Sequence, residues 1–371
     1  MNILWFTWKD LSHPFAGGAE RVNEELAKRL AKDGHRVLFL TSSFPKAKEK
    51  ETKDGYEIIR LGNRYTVYWK AYQYYKKNLS QEKWDIVIDE MNTIPFFATR
   101  YTKAKKKFLF IHQLCREIWF HQMPFPFNVI GFIIEPIYLK FLSQYTVITI
   151  SQSTRNNLLS YGFKEKNIKI ISEGVDIIPI ESCDSVSKYP QPTLLSLGAI
   201  RSMKQTMHQL QAFEIAKKEI PELQFLIAGD ARNIYGESFL QKVQESPYKK
   251  DITYFGRVDA SKKQELMQKS HIIAVTSIKE GWGLIVSEAN SQGTPAIVYD
   301  VDGLRDSVRN EETGKITQNN NPETLAQVII FLLKNSEEYE KLRHNALNWS
   351  KELTFERSYE DFMKVIDQSV K

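Results

Sequence analysis

The chain has 371 residues, and its composition, 42% apolar and 26% charged, is ordinary for a folded protein and excludes wholesale disorder. This length exceeds one ordinary hydrophobic core and predicts two domains with a cleft between them. Residues 1–180 carry a net charge of +9, from 27 Lys and Arg against 18 Asp and Glu, whereas residues 181–371 carry −3, from 24 against 27. The basic half indicates an anionic partner such as nucleic acid, a phosphorylated acceptor or a membrane surface, although solvated lysine-rich faces give the same asymmetry.

We expect no targeting or membrane-spanning segment in this sequence. The apolar run at the N-terminus covers only residues 3–6, and charged residues follow it closely. The most apolar region, residues 129–142, is interrupted by Glu, Pro and Lys and is shorter than the ~20 residues that cross a bilayer. Cys115 and Cys183 have no metal-like spacing, which favours a reducing compartment. We therefore expect a cytoplasmic protein.

The first half alternates short apolar runs with helical patterns. A strand at residues 3–6, an amphipathic helix at 19–32 and a strand at 36–40 form its first unit. Four later runs are rich in β-branched and aromatic residues, as buried parallel strands are, and extend the same sheet. These runs are residues 85–88, 108–111, 147–150 and 168–171.

Residues 177–192 contain three prolines and three serines without a sustained period, and they are the best candidate for a linker. The alternation then restarts, which predicts a second parallel sheet. Its predicted elements are strands at 193–197, 224–228, 252–255, 272–276 and 295–299, with a helix at 206–219. The fold class is thus α/β with two Rossmann-like domains, the first at 1–178 and the second at 190–352.

Ligands of open α/β sheets lie beyond the carboxyl ends of the strands, so the residues that follow strands are candidates for a site. Gly17 and Gly18 precede a helix, whose N-terminal N–H groups favour phosphate, although tight turns also use such a pair. The dinucleotide fingerprint and the P-loop pattern are both absent, which argues against hydride transfer and ATP hydrolysis. Gly198, Arg201 and Lys204 lie between a strand and a helix, where two cations would hold a diphosphate, unless they are only a solvated helix start.

The most informative motif is residues 280–288, Glu-Gly-Trp-Gly-Leu-Ile-Val-Ser-Glu, after the strand at 272–276. Its two glycines expose backbone amides at a turn into a helix, and Glu280 and Glu288 bracket that turn. A carboxylate accepts hydrogen bonds from two hydroxyls at once, so one acid suits sugar hydroxyls and the other a ribose diol.

Together these motifs resemble the family-four glycosyltransferases, a group of retaining enzymes with the GT-B fold. The resemblance spans nearly the whole chain and implies two Rossmann-like domains facing a cleft, with a C-terminal helix that crosses back to the first domain. Residues 354–356, Thr-Phe-Glu, resemble the start of that helix, which we place at about 355–371. The matching motifs are residues 13–20, 111–113, 150–154, 173–176, 198–204, 227–230, 255–258 and 280–288.

The resemblance implies that Glu288 holds the nucleotide ribose and Glu280 the donor sugar, while Arg201 and Lys204 clamp the diphosphate. His112 matches a histidine placed near the transferred sugar, so Glu280, His112, Arg201 and Lys204 are the catalytic candidates. Two departures are Ala199, where the family often has arginine, and Gln205, which replaces a common glycine. The further candidates for donor binding are Gly17, Gly18, Gly198, Gly256, Arg257, Val258, Gly281, Trp282, Gly283 and Leu284.

The implied reaction moves a hexose from a nucleotide-diphosphate sugar to a glycan or lipid-linked acceptor in cell-surface polysaccharide or glycolipid synthesis. Retention without a protein nucleophile leaves the enzyme to position groups and stabilise charge, and no metal or other cofactor is expected. Asp300 and Asp302 resemble a metal-binding Asp-x-Asp, but they occupy the place of the family's glycine-rich turn. The alternatives are a phosphorylase or epimerase of the same fold, a nucleic-acid-binding protein and a non-catalytic scaffold.

An aromatic and aliphatic stretch follows His112, and residues 129–142 within it are expected to form a helix with one face in the core. Residues 119–127, together with Lys103, Lys105, Lys106 and Lys107, are expected to associate peripherally with anionic lipid. The expected location is therefore cytoplasmic, with docking at the inner face of the plasma membrane.

Overall fold

The computed structural model describes residues 1–368, which form two compact units. Unit 1 comprises Met1–Gly174 with the C-terminal segment from Thr354, and unit 2 comprises Val175–Leu353. The proline-rich segment 177–192 lies inside unit 2, where Cys183 is buried, so the chain passes between the units at Gly174 rather than within this segment. The last three residues of the expected C-terminal helix lie outside the described residues.

Unit 1 is an eight-stranded sheet with helices. The strand order is β3-β4-β2-β1-β5-β6-β7-β8, and all neighbours are parallel except β3 and β4. Its elements are β1 (Asn2–Phe6), α1 (Gly18–Lys32), β2 (Arg36–Ser42), β3 (Lys50–Lys53), β4 (Tyr56–Leu61), α2 (Val67–Tyr74), β5 (Trp84–Glu90), α3 (Ala98–Tyr101), β6 (Ala104–Phe110), α4 (Trp119–Gln122), α5 (Phe127–Leu142), β7 (Thr146–Thr149), α6 (Gln152–Ser160) and β8 (Ile168–Ile170). The strands predicted from buried apolar runs are thus confirmed.

The hairpin of β3 and β4 is the part of this sheet that the sequence analysis missed. Its turn is Asp54-Gly55, and both residues have positive φ, +47° and +87°. An Asp-Gly pair in this conformation is a preferred two-residue hairpin turn, because its twist matches that of the flanking strands.

Unit 2 is a six-stranded, fully parallel sheet of order β11-β10-β9-β12-β13-β14. Its buried residues form apolar clusters that include Leu194, Phe213 and Ile297 in one and Ile273 and Val286 in another. The elements are β9 (Thr193–Leu197), α7 (Thr206–Glu219), β10 (Gln224–Ala228), α8 (Ile234–Glu245), β11 (Ile252–Tyr254), α9 (Ala260–Lys269), β12 (Ile272–Val275), α10 (Leu284–Ser291), β13 (Ala296–Val298), β14 (Gly314–Ile316), α11 (Pro322–Lys334) and α12 (Ser336–Ser350).

The C-terminal helix α13 (Phe355–Gln368) belongs to unit 1, as expected. The Phe362 ring stacks on Trp5 of β1, with the ring centroids 6.0 Å apart. Arg29 of α1 forms an ion pair with Glu356 at 2.5 Å. The core and the helix surface therefore both hold α13 against this unit.

Within residues 1–368, no helix combines the length and apolar character that crossing a bilayer requires. Cys115 and Cys183 are both buried and are not joined in a disulfide.

Candidate functional site

Glycines let the loops at the carboxyl edge of the unit 2 sheet approach one another closely. The N–H of Gly198, after β9, donates to Ala228 O at 3.0 Å, and the N–H of Gly229 donates to Gly256 O at 2.8 Å. A Cβ on Gly229 would lie 1.8 Å from Gly198 O, so any larger residue would separate the two loops. Gly198 and Gly256 have positive φ, which glycine adopts without strain. The loops that follow three neighbouring strands are thus held together.

Glu280 lies in this edge between two loops. Its Oε1 accepts hydrogen bonds from the Lys204 ammonium and, at 2.6 Å, from Ser277 Oγ. Its N–H donates to Asp302 O at 3.0 Å, and a Cβ on Gly303 would lie 2.3 Å from Glu280 O. The structure therefore brings Glu280 and Lys204 together, and Gly303 keeps space for the Glu280 backbone.

Glu280 is an anion despite its partial burial. Burial alone would raise the pKa of this carboxyl, but the ammonium of Lys204, the hydroxyl of Ser277 and the charge of Arg201 outweigh burial and hold the pKa below its ordinary value. The Glu280 side chain is 16% exposed and that of Lys204 is 24% exposed, so both groups remain accessible to a ligand.

The turn after Glu280 leads into α10. Gly283 occupies the N-cap position with φ of +99°, and a Cβ there would lie 2.8 Å from the side chain of Leu304. Trp282 Nε1 donates to Ser287 Oγ at 2.9 Å, which fixes the indole against the first turn of the helix. Gly281 precedes Trp282 in this turn, and Leu284 is the first residue of α10. The turn thus presents a short helix N-terminus beside Glu280.

Glu288 lies within α10 and has a partner that the sequence analysis did not identify. Lys263 of α9 forms an ion pair with it at 2.6 Å. Asp259 caps α9 by accepting the N–H of Lys262, which sets the start of the helix that carries Lys263. Only the packing of α9 beside α10 selects this lysine among its neighbours in the sequence. The two acids of residues 280–288 are therefore each paired with a lysine from a different element.

The remaining predicted donor-binding residues of unit 2 are Arg201, Arg257 and Val258. Arg201 and Arg257 are exposed, and within residues 1–368 Arg201 makes no ion pair. Val258 packs partly buried against the core beneath the sheet edge. An exposed guanidinium close enough to influence the pKa of Glu280 remains available for an anionic ligand.

Asp300 and Asp302, which resemble a metal-binding pair, both form ion pairs with Arg305. Asp302 also pairs with Lys279 at 3.2 Å. Among residues 1–368, no group of three or more His, Cys, Asp and Glu side chains is placed to hold a metal ion.

Gly17 and Gly18 lie in unit 1, at the N-terminus of α1, and are exposed. The N–H of Gly17 donates to Glu20 Oε2 at 2.6 Å, and Glu20 is itself paired with Lys9 at 3.2 Å. A carboxylate of the chain thus already occupies the helix end predicted to bind phosphate, and a phosphate would have to displace it.

His112 also lies in unit 1, two residues after the end of β6, and is 7% exposed. Its ring stacks on Phe110, and neither ring nitrogen has a hydrogen-bond partner within the described residues. Burial lowers the pKa of His112 to about 3, whereas burial and the charge of Glu20 raise the pKa of Glu90 to about 8. Both groups are therefore neutral at pH 7, and the 3.8 Å approach of His112 Nε2 to Glu90 is not an ion pair. Such unpartnered buried polar atoms are candidates for ligand contact.

Only part of the expected lipid-facing segment, residues 119–127, is exposed to solvent. Trp119 is 4% exposed, because the absence of a side chain at Gly131 lets its ring pack against α5. The prediction that Trp119 is part of a docking surface is thus wrong. The exposed apolar surface lies mainly on α5 and the residues just before it. It consists of Phe120, Phe125, Phe127, Val129, Ile130, Ile133, Ile134, Ile137 and Phe141.

The four lysines expected beside that segment do not form one cluster. Lys105, Lys106 and Lys107 are consecutive residues of β6, and successive side chains of a strand point to opposite faces. Lys105 pairs with Asp85, and Lys107 donates to a backbone carbonyl. Lys103, before the strand, is exposed.

The predicted site residues therefore fall into two groups. Gly17, Gly18 and His112 lie in unit 1, and all the others lie in unit 2. Sequence analysis missed Lys263 and Ser277, since neither carries a local signal that distinguishes it from neighbouring residues of the same type. It noted Gly303 only as part of the glycine-rich turn at Asp302, without a role in the site.

Two family models match the chain. Glycosyltransferase Family 4 matches residues 16–178, and Glycosyl transferases group 1 matches residues 181–349. The N-acetyl-alpha-D-glucosaminyl L-malate synthase of Bacillus anthracis is 22% identical over 365 residues, which cover 90% of this chain and 89% of that protein. The poly(glycerol-phosphate) alpha-glucosyltransferase of Bacillus subtilis is 27% identical over 175 residues, but these cover 47% of this chain and only 25% of that protein.

Solved structures share the fold across the chain. Sucrose-phosphate synthase from Thermosynechococcus elongatus has a TM-score of 0.78 at 18% identity, with 99% of this chain and 98% of that chain covered. Anabaena HepE in complex with UDP and glucose has a TM-score of 0.72 at 15% identity, with 99% and 100% covered. The two parallel-sheet α/β units are thus those of the GT-B fold, and the family models match both of them. The chain belongs to the family-four glycosyltransferases.

Proposed function

We propose that this protein transfers a hexose from a nucleotide-diphosphate sugar to a glycan or lipid-linked acceptor, in cell-surface polysaccharide or glycolipid synthesis. The observation that carries the proposal is the pair of acids on one turn and helix of unit 2. Glu280 is paired with Lys204, and Glu288 with Lys263. Anions and cations therefore alternate at the sheet edge where ligands of this architecture bind.

A nucleotide-diphosphate sugar has hydroxyls at both ends and two charged phosphates between them, which suits this arrangement. Glu280 would accept hydrogen bonds from the sugar and Glu288 from the ribose, since each carboxylate accepts from two hydroxyls. Arg201 and Lys204 would neutralise the diphosphate, with backbone amides of the glycine loops as further donors. HepE, which has the same fold, was solved in complex with UDP and glucose, and this supports a nucleotide sugar as the donor.

In the proposed reaction, the bond from the anomeric carbon to the diphosphate oxygen breaks, and a bond to the acceptor oxygen forms on the same face of the sugar. The acceptor hydroxyl gives its proton to the leaving diphosphate, so the configuration is retained without a protein nucleophile. Arg201 and Lys204 stabilise the negative charge that develops on the leaving group. We propose that this transfer requires no metal or other cofactor.

Unit 1 is proposed to bind the acceptor and to dock on anionic membrane. The outward face of α5 supports docking, because it is a continuous apolar surface on a helix of 16 residues. A cytoplasmic protein would meet such a membrane at the inner face of the plasma membrane.

A thermal-shift panel of UDP-, GDP- and ADP-sugars tests donor binding. A ligand that binds only the folded state raises the free energy of unfolding, and with it the melting temperature. At a ligand concentration one hundred times the dissociation constant, the gain is about 2.7 kcal/mol. We expect one nucleotide class to raise it, and a Glu288→Gln variant to reduce the rise. If no sugar nucleotide shifts the wild-type melting temperature, the proposed donor is wrong.

A further inference from the structure

Unit 1 contains an apolar groove of about 550 Å³ beside α5. Three segments line it: the loop after β5 with Ile94 and Phe97, the α4 region with Trp119 and Met123, and one side of α5. This volume is within the range of small-molecule sites, roughly 300–1,000 Å³. The groove is thus large enough for a ligand.

The polar atoms of the lining side chains are already engaged within the protein. Tyr138 OH donates to Thr93 O at 2.7 Å, and Trp119 Nε1 donates to Glu135 at 2.9 Å. A sugar or nucleotide in the groove would leave its own hydroxyls without partners, which is costly. The occupant that fits is therefore a hydrocarbon.

Buried contacts, rather than the outward face of α5, hold the floor of the groove. Glu135 is fully buried in the middle of the helix and accepts the N–H groups of Cys115 and Arg116, both at 2.7 Å, as well as the Trp119 indole. A Cβ on Gly131 would lie 2.4 Å from the Trp119 ring, so glycine allows this ring to form the floor. The outward apolar residues are thus not needed to attach α5 to the unit.

The wall of the groove contains a strained residue. Phe97 has φ of +56° and ψ of +23°, a conformation that bulky residues rarely adopt. The buried carboxylate of Asp89 holds it there, by accepting the N–H groups of Phe96 at 2.9 Å and Ala98 at 2.7 Å. Strain that the surrounding structure maintains is typical of ligand sites.

The charges beside the groove indicate which headgroup the bound hydrocarbon carries. The Arg100 guanidinium lies 4.4 Å from the ring centroid of Phe141, which lines the groove, and Lys140 next to it is exposed. The one acidic residue of α5 is the buried Glu135. The C-terminal end of α5 therefore offers positive charge without exposed negative charge on the same helix, which favours an anionic headgroup.

We propose that the groove binds a hydrocarbon chain of an anionic lipid, with the lipid phosphate near Arg100 and Lys140. The inference rests on the membrane docking proposed above and deepens it, because it assigns to unit 1 a site for a single lipid molecule. Each buried methylene is worth about 0.8 kcal/mol, so chain length should change the affinity roughly fourfold per methylene.

Dodecyl phosphate below its critical micelle concentration is the probe, and isothermal titration calorimetry measures its binding. We expect decyl phosphate, which lacks two methylenes, to bind roughly fifteenfold more weakly. An uncharged dodecyl glycoside should bind more weakly than dodecyl phosphate, and a double Arg100→Gln, Lys140→Gln variant should remove that difference. Affinity that is independent of chain length would overturn the proposal.

Ile137 and Ile133 supply a matched pair of variants on α5. They are exposed to similar extents, 64% and 60%, but only Ile137 lines the groove. Ile137→Ser should weaken dodecyl phosphate binding by roughly tenfold, because an apolar wall is lost, whereas Ile133→Ser should change it less than twofold. Equal effects of the two substitutions would contradict a groove site, and melting temperatures would verify that both variants fold.

Two further measurements separate this inference from the proposals on which it depends. Sedimentation with phosphatidylglycerol vesicles reports docking, and the sugar-nucleotide thermal shift reports donor binding in unit 2. Vesicle binding without dodecyl phosphate binding would overturn the groove but leave docking intact. Dimerisation that Ile137→Ser abolishes would overturn the lipid proposal in favour of a second copy of the chain.

Discussion

Replacement of Glu280 by glutamine is the most direct test of the site, because it removes one charge and keeps the shape. The variant leaves the Lys204 ammonium without its anion, while Ser277 Oγ still has an acceptor. A fully buried pair that loses one partner costs about 3–5 kcal/mol, but Lys204 is 24% exposed and water reaches it. We therefore expect the free energy of unfolding to fall by only about 1–2 kcal/mol.

The pH dependence of this loss follows from the direction of the Glu280 pKa shift. The pKa of the folded carboxyl is lowered, so its contribution to stability is complete above the ordinary glutamate pKa of about 4.3. The contribution is lost as the pH falls through the lower, folded pKa. The stability difference between wild type and Glu280→Gln, measured by urea denaturation, should therefore be largest near neutral pH and shrink in acid.

The effect on catalysis should be larger than the effect on stability. If Glu280 contacts the sugar as it leaves the diphosphate, its loss resembles removal of one transition-state hydrogen bond, which lowers kcat by about 10²–10³-fold. Release of the nucleoside diphosphate, measured with both donor and acceptor saturating, gives kcat directly. A Glu280→Gln enzyme with the wild-type kcat would refute the role assigned to this residue.

Glu288→Gln is the matched control for this experiment. It makes the same chemical change eight residues further along, within α10, and it also removes the partner of a lysine. We expect it to raise the dissociation constant for the nucleotide and to leave kcat at saturating donor nearly unchanged. Identical kinetic effects of both substitutions would contradict separate roles for the two acids.

Two further predictions concern backbone space and buried charge. Gly303→Ala should lower the free energy of unfolding by about 2–5 kcal/mol, because position 303 has positive φ and the new Cβ would lie 2.3 Å from Glu280 O. The control Gly162→Ala, at a position with positive φ but open space, should lower it by about 1–2 kcal/mol. Equal losses in chemical denaturation would contradict the contact between Gly303 and Glu280. Burial and the charge of Glu20 raise the pKa of Glu90 to about 8, so the free energy of unfolding should fall as the pH rises from about 4.3 to about 8. Melting temperatures across that pH range should show this fall in the wild type and not in Glu90→Gln. The same pH dependence in both proteins would contradict a protonated Glu90.

The strands of both sheets were largely predictable, because buried parallel strands are short apolar runs rich in β-branched residues. The exceptions have specific causes. The edge strand β3 is Lys-Glu-Thr-Lys, which has no apolar pattern, although its Asp54-Gly55 turn was a usable signal. Strand β14 has three residues and a buried lysine, Lys315, which pairs with Glu311 and Glu338. Its place in the sheet depends on those partners rather than on its own composition.

The proposed donor site could be inferred from the sequence where its residues share a local motif. Glu280, Glu288 and the two glycines between them lie within nine consecutive residues, and Lys204 follows a glycine after a strand. Lys263 was not predictable, because it lies 25 residues from Glu288 and reaches it only through the neighbouring helix. Its selection depends on where α9 and α10 begin and which of their faces meet.

By itself, the sequence determined most strands of the two α/β sheets and the family, and it predicted the acids of the proposed donor site, since these depend on local periodicity and on residues close together in the chain. Only the tertiary structure decided which apolar residues near α5 are buried. Gly131 leaves space for the Trp119 ring, and Glu135 accepts hydrogen bonds from three N–H groups. Trp119 is therefore buried, while Ile133 and Ile137 are exposed. The physical reason is that burial depends on side chains that approach from other segments. The sequence of an apolar run does not indicate which of its faces those side chains cover.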